Sequence, residues 1–390
     1  MTQKRNYWRA FFDPRFYSTL LRQLRTAFAN LHADYQASLE ARREQSRAKA
    51  GLRLRKDVFV SDYKSLDIGE GAEIDRDVRI VFPADMNDDR GTNITLGAKS
   101  YLGRRVSLGV LHGNRLTIGD YTTINDNCVI LGDVCVERYC TLSLNIFISS
   151  GNHYSTLFPS WLIRDQDAWV QNNPEHANRH SNPVHIEEDC WLGWGVFIKR
   201  GVYIGRGAVI GAYSVVSRDV PPYSVQVGAP NKEIARRFDF RPPRELQAIN
   251  EDHWPYFYAG FFMRQEEISA SRELNLLFAR SRVRLLLEGG TFDRLVISGQ
   301  LRDHIEQLKL AVACKGISLG EIFIKQRSFS ETLEINAEVW EGQVARTPSV
   351  LRDYNEIELR VISDECTKQA DYCYGIALIS IHARTDPNAA

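Results

Sequence analysis

The sequence predicts a mainly β protein whose central part is a parallel β-helix. A branched aliphatic residue recurs at every sixth position in two blocks: Ile118, Ile124, Ile130, Val136, Leu142 and Ile148, then Ile186, Leu192, Ile198, Ile204, Ile210 and Val216. This period fits neither an α-helix, at about 3.6 residues, nor a single strand, at about 2. It is typical of short strands wound as the faces of a prism, with one inward aliphatic residue on each face.

A second observation is that the position four residues further on is small or apolar. In the second block these residues are Cys190, Val196, Val202, Ala208, Ser214 and Val220. Cys128 and Cys140 hold the same position in the first block, so these cysteines are predicted to be core residues rather than a redox or metal-binding set. Weaker copies of the pattern begin near Ile68, and the repeat is predicted from about 57 to 225.

Composition limits the functional classes. A chain of 390 residues is long enough for two or three domains. Its net charge of zero gives no support for a nucleic-acid partner. The sequence has neither a signal peptide nor a run of about 18 apolar residues, the minimum for a membrane span. We therefore expect a cytoplasmic protein.

Residues 1–56 are predicted to form an N-terminal helical segment. Asp13-Pro14 has the order of a helix N-cap followed by Pro at the first helical position. Six basic residues and one acidic residue occur up to position 30, mixed with aromatic residues. Two interpretations stay open: a helix lying on an anionic membrane surface, which would make the protein membrane-associated, or a helix packed against this protein or a neighbouring subunit. The second is favoured.

The C-terminal part loses the six-residue period. Pro221-Pro222 closes the repeat, and a capping helix is expected from about 231. Residues 250–390 are predicted to form a separate α+β domain of unknown role. Its helices are expected near 262–288 and 301–315, and its strands at 331–336 and 356–361. The repeat domain is assigned to 57–240, with a loop insertion at 154–185.

The segments Ile186–Gly193 and Gly228–Lys232 give the chain a resemblance to a known family. They resemble the hexapeptide-repeat acyltransferases, in particular the sugar O-acetyltransferases and the xenobiotic acetyltransferases. The resemblance covers roughly residues 60–240. It implies a left-handed β-helix, a homotrimer, and acyl-CoA, most simply acetyl-CoA, bound as co-substrate in the groove between adjacent prisms.

His153 is the candidate catalytic residue. It follows Ser149-Ser150-Gly151-Asn152, where the first block of the repeat ends and the long insertion begins. Acyl transfer from a thioester to a hydroxyl requires a base, and a neutral imidazole has a pKa near the working pH. In the resembling enzymes a histidine at this junction is that base.

Three residues are candidates for acceptor binding. By resemblance, Asn125 is placed where sugar acetyltransferases have an asparagine that binds the acceptor, but it could equally be a corner residue of the repeat. Tyr154 and Trp169 in the insertion are expected to wall the acceptor pocket. Aromatic faces suit a sugar ring, and they suit a flat drug as well.

The resemblance also implies a cofactor-binding set: Trp194, Gly211, Ala212, Arg218 and Lys232. Ala212 keeps the small side chain that a pantetheine arm requires, and Lys232 is placed to meet a CoA phosphate. Trp194 departs from the family pattern, which often has a small or hydrophilic residue there. Arg218 has the alternative reading of an ordinary exposed charge.

His176 and His180 have the spacing of a zinc-binding pair on a helix, but a polar loop is the favoured reading and no metal is expected. The sequence thus predicts an acyl-CoA-dependent O-acetyltransferase acting on a carbohydrate hydroxyl, in surface polysaccharide or lipopolysaccharide biosynthesis. The alternatives are a xenobiotic or amino-sugar N-acetyltransferase and a non-catalytic β-helix scaffold.

Overall fold

The computed structural model describes residues 53–54, 57–83, 91–111, 113–173, 176, 182–261, 272–303, 305–336, 349–362 and 374–382. The helical segment expected over residues 1–56 therefore lies outside the described residues, except for Arg53–Leu54, which form the first strand. His180 also lies outside them.

Three parallel sheets form the faces of a prism. Sheet 1 contains β1 (Arg53–Leu54), β4 (Glu73–Ile74), β7 (Tyr101–Leu102), β10 (Thr123–Ile124), β13 (Thr141–Leu142), β16 (Trp191–Leu192), β19 (Val209–Ile210), β21 (Ser224–Val227) and β22 (Lys232–Arg236). Sheet 2 contains β2 (Phe59–Val60), β5 (Arg79–Val81), β8 (Ser107–Gly109), β11 (Val129–Leu131), β14 (Phe147–Ser149), β17 (Phe197–Ile198) and β20 (Val215–Val216). Sheet 3 contains β3 (Leu66–Ile68), β6 (Asn93–Leu96), β9 (Arg115–Ile118), β12 (Val134–Val136), β15 (Val184–Ile186) and β18 (Tyr203–Ile204).

The register of the strands explains the six-residue period. Thr123 pairs with Thr141, so one coil takes 18 residues and each face receives one hexapeptide. All twelve aliphatic residues of the two blocks point inward and are at most 1% exposed. Cys128, Cys140 and Cys190 are buried in the same core. The predicted fold class, a mainly β protein with a left-handed parallel β-helix, is confirmed.

Within each coil the chain passes from sheet 1 to sheet 2 and then to sheet 3. We name the corners edge 1–2, edge 2–3 and edge 3–1 after the sheets that they join. The long insertion leaves at edge 2–3, after β14, and returns into β15. It contains helix α1 (Ile163–Gln171), and His185 already belongs to the returning strand.

The C-terminal region is an antiparallel sheet of nine strands. These are β23 (Glu245–Gln247), β24 (Ala259–Phe261), β25 (Leu277–Leu287), β26 (Arg294–Leu301), β27 (Leu308–Cys314), β28 (Ile317–Ile324), β29 (Ser328–Glu334), β30 (Asn355–Val361) and β31 (Tyr374–His382). The order along the main path is β28-β27-β30-β25-β31-β26-β29, with β23 on β31 and β24 on β25. Two short 3-10 helices cover Glu251–Tyr256 and Ser349–Leu351.

The α+β assignment of this region was wrong in its helical part. The strands predicted at 331–336 and 356–361 are present as β29 and β30. The helices predicted over 262–288 and 301–315 are replaced, where the chain is described, mainly by strands β25, β26 and β27. In β27 buried and half-exposed residues alternate along all seven positions, which is the period of a strand. Leu, Ala and Arg favour helices locally, but pairing with β30 decides the structure.

The capping helix expected from about 231 is also a strand. Residues Lys232–Arg236 form β22, which turns back along β21 in an antiparallel hairpin with a bulge between Val225 and Gln226. The hairpin therefore does the capping at the C-terminal end of sheet 1. Within the described ranges, no helix has both the length and the apolar character needed to cross a membrane.

Because the prism core is fully buried, shortening an inward side chain is predicted to lower the free energy of unfolding substantially. Leu142 is fully buried, whereas Thr141, beside it on β13, points outward and is exposed. We expect Leu142→Ala to lower the free energy of unfolding by about 2–5 kcal/mol, because a buried cavity is left. Thr141→Ala should change it by less than about 0.5 kcal/mol. Urea unfolding measures both, and equal losses would contradict the inward assignment.

Candidate active site

His153 lies in the insertion at edge 2–3, and a carboxylate from helix α1 holds its ring. Its Nδ1 atom is 2.7 Å from Asp167 Oδ2. The other oxygen of Asp167 accepts the backbone N–H of Tyr154 at 2.8 Å. The side chain of His153 is 82% exposed and that of Asp167 is 25% exposed. The imidazole is thus fixed on one side and open to solvent on the other.

This contact determines which ring nitrogen can act as a base. An ionised carboxylate only accepts hydrogen bonds, so Nδ1 of His153 must carry the proton that is shared with Asp167. In the neutral ring, Nε2 is then the unprotonated nitrogen and points away from Asp167. The contact with Asp167 thus leaves Nε2 as the ring nitrogen that is able to accept a proton.

Buried hydrogen bonds hold the insertion in shape. Gln166 of α1 is 1% exposed; its Oε1 accepts the N–H of Phe158 at 3.1 Å, and its Nε2 donates to the carbonyl of Trp161 at 3.3 Å. Phe158 stacks on Trp161 and packs edge-on against Trp169, with ring centroids 4.4 and 5.0 Å apart. Both predicted acceptor residues of the insertion, Tyr154 and Trp169, lie in the same loop as His153. Trp169 belongs to the aromatic cluster, and the backbone of Tyr154 binds Asp167.

Asn125 lies elsewhere, on edge 1–2. Its backbone N–H and its side-chain Nδ2 both donate to the carbonyl of Leu142 in the next coil, at 3.0 and 2.8 Å. These bonds support the reading of Asn125 as a corner residue. Because His153 lies on edge 2–3, a single chain does not bring the two side chains to one corner.

The predicted cofactor residues lie mainly on edge 1–2. Trp194 is 48% exposed and packs against Tyr213, which follows Ala212 and is 64% exposed. Lys232 begins the exposed strand β22. Gly211 has a packing role of its own, since a Cβ atom there would come within 2.7 Å of Val227. Arg218 is exposed on edge 2–3, the edge of His153.

Sheet 2 therefore separates the candidate base from most of the cofactor set within one chain. Edge 1–2 and the strands beside it carry large exposed side chains on three successive coils: Leu144, Phe147, Trp191, Trp194, Phe197 and Tyr213. Phe147 and Phe197 stack nearly parallel at 5.4 Å. An exposed apolar patch of this kind is typical of a protein interface.

One cluster of described residues has the composition of a metal site. Glu137, His185 and Glu187 place their ligand atoms within 4.8 Å of one another. Arg284 Nη1, however, is 2.7 Å from Glu187 Oε1, and its Nη2 is 3.4 Å from Glu137 Oε1. The guanidinium already supplies positive charge between the carboxylates, so the cluster does not need a cation.

His176 belongs to the histidine pair whose spacing suggested zinc. Its ring packs against that of Trp169, with ring centroids 4.9 Å apart.

Part of the prism is similar to a known protein family. Residues 183–218 match the family model described as Bacterial transferase hexapeptide (six repeats). The matched residues lie within the prism, so the fold and the family model agree on hexapeptide repeats in this part of the chain.

The individual relatives are acetyltransferases. The putative colanic acid biosynthesis acetyltransferase WcaF of Escherichia coli is 29% identical over 35% of this chain and 66% of its own length. The chloramphenicol acetyltransferase of Morganella morganii is 32% identical over 31% of this chain and 59% of its own. The chain thus spans slightly less than two thirds of these relatives. The hexapeptide-repeat acetyltransferase VCA0836 of Vibrio cholerae, solved with acetyl-CoA, is 28% identical, with a TM-score of 0.30 over 37% of this chain and 70% of that one.

Sequence reasoning missed Asp167 and Gln166. Both lie on α1, 14 and 13 positions beyond His153, and no spacing rule links them to it. An acidic and an amide residue inside a polar loop carry no signal of their own. Only the folded insertion brings Asp167 onto the imidazole and buries Gln166.

Gln166 yields a prediction for the insertion. We expect Gln166→Leu to speed proteolytic cleavage within residues 154–173, because two buried hydrogen bonds worth about 1 kcal/mol each are lost. Gln171→Leu is the matched control, since Gln171 is exposed on the same helix. Limited proteolysis followed by mass mapping measures the rates. Cleavage at equal rates in both variants would show that Gln166 does not hold the loop.

Proposed function

We propose that this protein is an acyl-CoA-dependent O-acyltransferase, most simply an O-acetyltransferase, that acts on a carbohydrate hydroxyl. The observation that carries the proposal is the contact between His153 and Asp167, at the start of an insertion that contains an aromatic cluster. The acetyltransferase relatives support the same chemistry. A cytoplasmic location suits an enzyme that draws on acetyl-CoA, and membrane contact through the N-terminal segment, residues 1–56, stays a prediction.

The proposed mechanism is direct transfer. Nε2 of His153 removes the proton of the acceptor hydroxyl as its oxygen attacks the thioester carbonyl. Asp167 keeps Nδ1 protonated and stabilises the positive charge that the ring gains. When the C–S bond breaks, the imidazolium returns the proton to the leaving thiolate. The products are an acetyl ester and the free thiol of CoA.

A trimer would complete the site. In that assembly, edge 1–2 of one protomer, with Trp194, Ala212 and Lys232, would face edge 2–3 of the next, with His153. The exposed apolar patch at edge 1–2 would then be the contact surface. The exposed Trp194–Tyr213 pair offers a surface for stacking, and Lys232 offers a cation for a phosphate of CoA.

The insertion and the relatives support the proposed acceptor class. Trp161 is 45% exposed and Trp169 is half-buried, so the aromatic cluster that they form with Phe158 leaves ring surface that suits a sugar. The similarity to a colanic acid biosynthesis acetyltransferase favours a sugar of a surface polysaccharide or lipopolysaccharide. The similarity to a chloramphenicol acetyltransferase supports a drug hydroxyl as the second acceptor class.

The catalytic assignment predicts a large rate effect at His153. We expect His153→Ala to lower the rate of acetyl transfer by about 10²- to 10⁴-fold, because no general base remains. Asp167→Asn should lower kcat by about tenfold or more, since an amide can hold the ring in the wrong tautomer. Labelled acetyl-CoA with a panel of sugars, nucleotide sugars and antibiotics measures the transfer.

Thermal stabilisation by acetyl-CoA is the control for these variants. Wild type and His153→Ala should be stabilised equally, because His153 does not hold the cofactor. Near wild-type transfer by His153→Ala would overturn the mechanism. The absence of any shift with millimolar acetyl-CoA in wild type would instead favour the scaffold alternative.

The trimer is tested at Phe197, which is 40% exposed in the apolar patch. We expect Phe197→Glu to give monomers and to abolish transfer, because the patch cannot pack around a charge. The matched control is Phe323→Glu, at a 45% exposed position on β28 of the C-terminal region. Size-exclusion chromatography with light scattering gives the mass. A monomeric wild type, or an unchanged mass in Phe197→Glu, would contradict the proposed contact.

A further inference from the structure

The C-terminal region packs against edge 3–1 and the outer side of sheet 3 near β15 and β18, and the contact contains buried and half-buried charges. The prism contributes Glu137, Glu187 and Glu188 with Arg138, His185 and Arg206, and the C-terminal region contributes Arg284, Glu356 and the hydroxyl of Tyr258. The four carboxylates meet the side chains of Arg138, His185 and Arg284, whereas the guanidinium of Arg206 binds backbone carbonyls of the C-terminal region. Removing one partner of such a pair is costly, because the other charge is then left buried without compensation.

Arg284 lies at the centre of this cluster. Its guanidinium is 2.7 Å from Glu187, 3.4 Å from Glu137 and 3.3 Å from Glu356. It also lies over the ring of Tyr258, 5.6 Å from the centroid. Glu187 is fully buried, and its second oxygen accepts from Tyr258 and from the N–H of Arg206 at 2.9 Å. Removing Arg284 would leave Glu187 as a buried charge without its cation.

Two other arginines bind backbone carbonyls of the segment that precedes β25. Arg138 binds Glu188 at 2.6 Å and donates to the carbonyl of Phe261 at 3.0 Å. Arg206 donates to the carbonyl of Phe257 at 2.9 Å. Both side chains are buried. The segment containing β24 is therefore fixed to edge 3–1 through its backbone as well as through the side chain of Tyr258.

The same charged cluster includes a residue of β15, the strand into which the insertion returns. His185 lies on β15; its Nε2 is 2.9 Å from Glu137, and its ring stacks on Tyr203 at 5.3 Å. Burial opposes the charged form, yet hydrogen bonds with Cys135 and Glu137 raise the pKa of His185 to about 10. Burial likewise opposes ionisation of Glu137, but His185 and Arg284 lower its pKa. The pair is therefore ionic at neutral pH.

Hydrogen bonds connect the start of the insertion to the residues just before this strand and to Asp133, which accepts the N–H of Val184 at 3.0 Å. The N–H of Asn182 donates to the carbonyl of Ser150 at 2.9 Å, and the N–H of Asp133 donates to the hydroxyl of Ser150 at 2.8 Å. Ser150 is three residues before His153. The two ends of the insertion thus meet at one point, and His185 lies three residues beyond it.

We propose that the C-terminal region is a permanently docked brace, held by Arg284, that fixes β15 and thereby the acceptor loop carrying His153 and Asp167. Arg284 is then a positioning residue: it touches neither acceptor nor cofactor and acts through Glu137 and His185. The effect on the acceptor rests on the proposed function, whereas the docking itself does not.

The test replaces Arg284 and compares it with a neighbour. Arg284→Met keeps an apolar side chain and removes the charge. Arg282→Met is the matched control, because Arg282 lies on the same strand, is 67% exposed and pairs with Glu358 at 2.8 Å on the surface. Calorimetry, hydrogen–deuterium exchange of residues 150–183, and KM for acceptor and acetyl-CoA are measured on the full chain.

We expect Arg284→Met to lower Tm by about 5 °C or more and to separate the unfolding of the two regions. Exchange in residues 150–183 should rise about tenfold, and KM for the acceptor should rise more than KM for acetyl-CoA. Adding Glu137→Gln and Glu187→Gln to Arg284→Met should restore much of the lost Tm, because the uncompensated carboxylates are gone. Arg282→Met should behave as wild type.

Two results would overturn the proposal. If Arg284→Met keeps one transition at the Tm of Arg282→Met, the brace does not depend on Arg284. If Tm falls while exchange in residues 150–183 stays unchanged, docking does not reach the loop. If wild type transfers no acetyl group, the proposed function fails, while the calorimetry and exchange results still decide the docking and the loop coupling.

Discussion

The stacking of coils in register is the constraint on which the rest of the structure depends. Each coil hydrogen-bonds to the next, and a residue added within a strand would turn its inward side chains outward. Extra chain can therefore leave only at a corner, and it must return to the same corner to restore the register. Ser150 and Asn182, joined by a backbone hydrogen bond, mark that closure. A site built at such a closure has a rigid base even though its loop is long.

The period of six made the prism predictable because every inward position lies in the same buried environment and therefore selects the same kind of residue. Ile130 and Leu192 are buried for one reason, so a single residue pattern describes both. The C-terminal strands lack this redundancy. The Leu, Ala and Arg residues of β25 suit a helix by propensity, and only pairing with β30 and β31 makes the segment a strand. The alternation in β27 was a readable signal for a strand that the helix prediction overlooked.

The candidate site was predictable in its position but not in its partners. The end of the first block of the repeat located His153, since a break in a regular pattern shows where the chain departs from the scaffold. Asp167 could not be found in this way, because its distance from His153 along the chain has no meaning until α1 folds. Arg284 illustrates the same limit over a longer range: its carboxylate partners Glu137 and Glu187 lie far away in the sequence and on another module.

The hairpin strand β22 has a consequence for the solution behaviour of the prism. An uncovered end of a β-helix presents open strand edges, which can template end-to-end growth of one molecule on another. Here the last edge of sheet 1 belongs to an antiparallel strand whose five residues are all exposed and include Lys232, Glu233 and Arg236. Charged side chains and the bulge opposite them are poor templates for a further strand. The chain thus carries its own stop against fibre formation at the end where its coils are most regular.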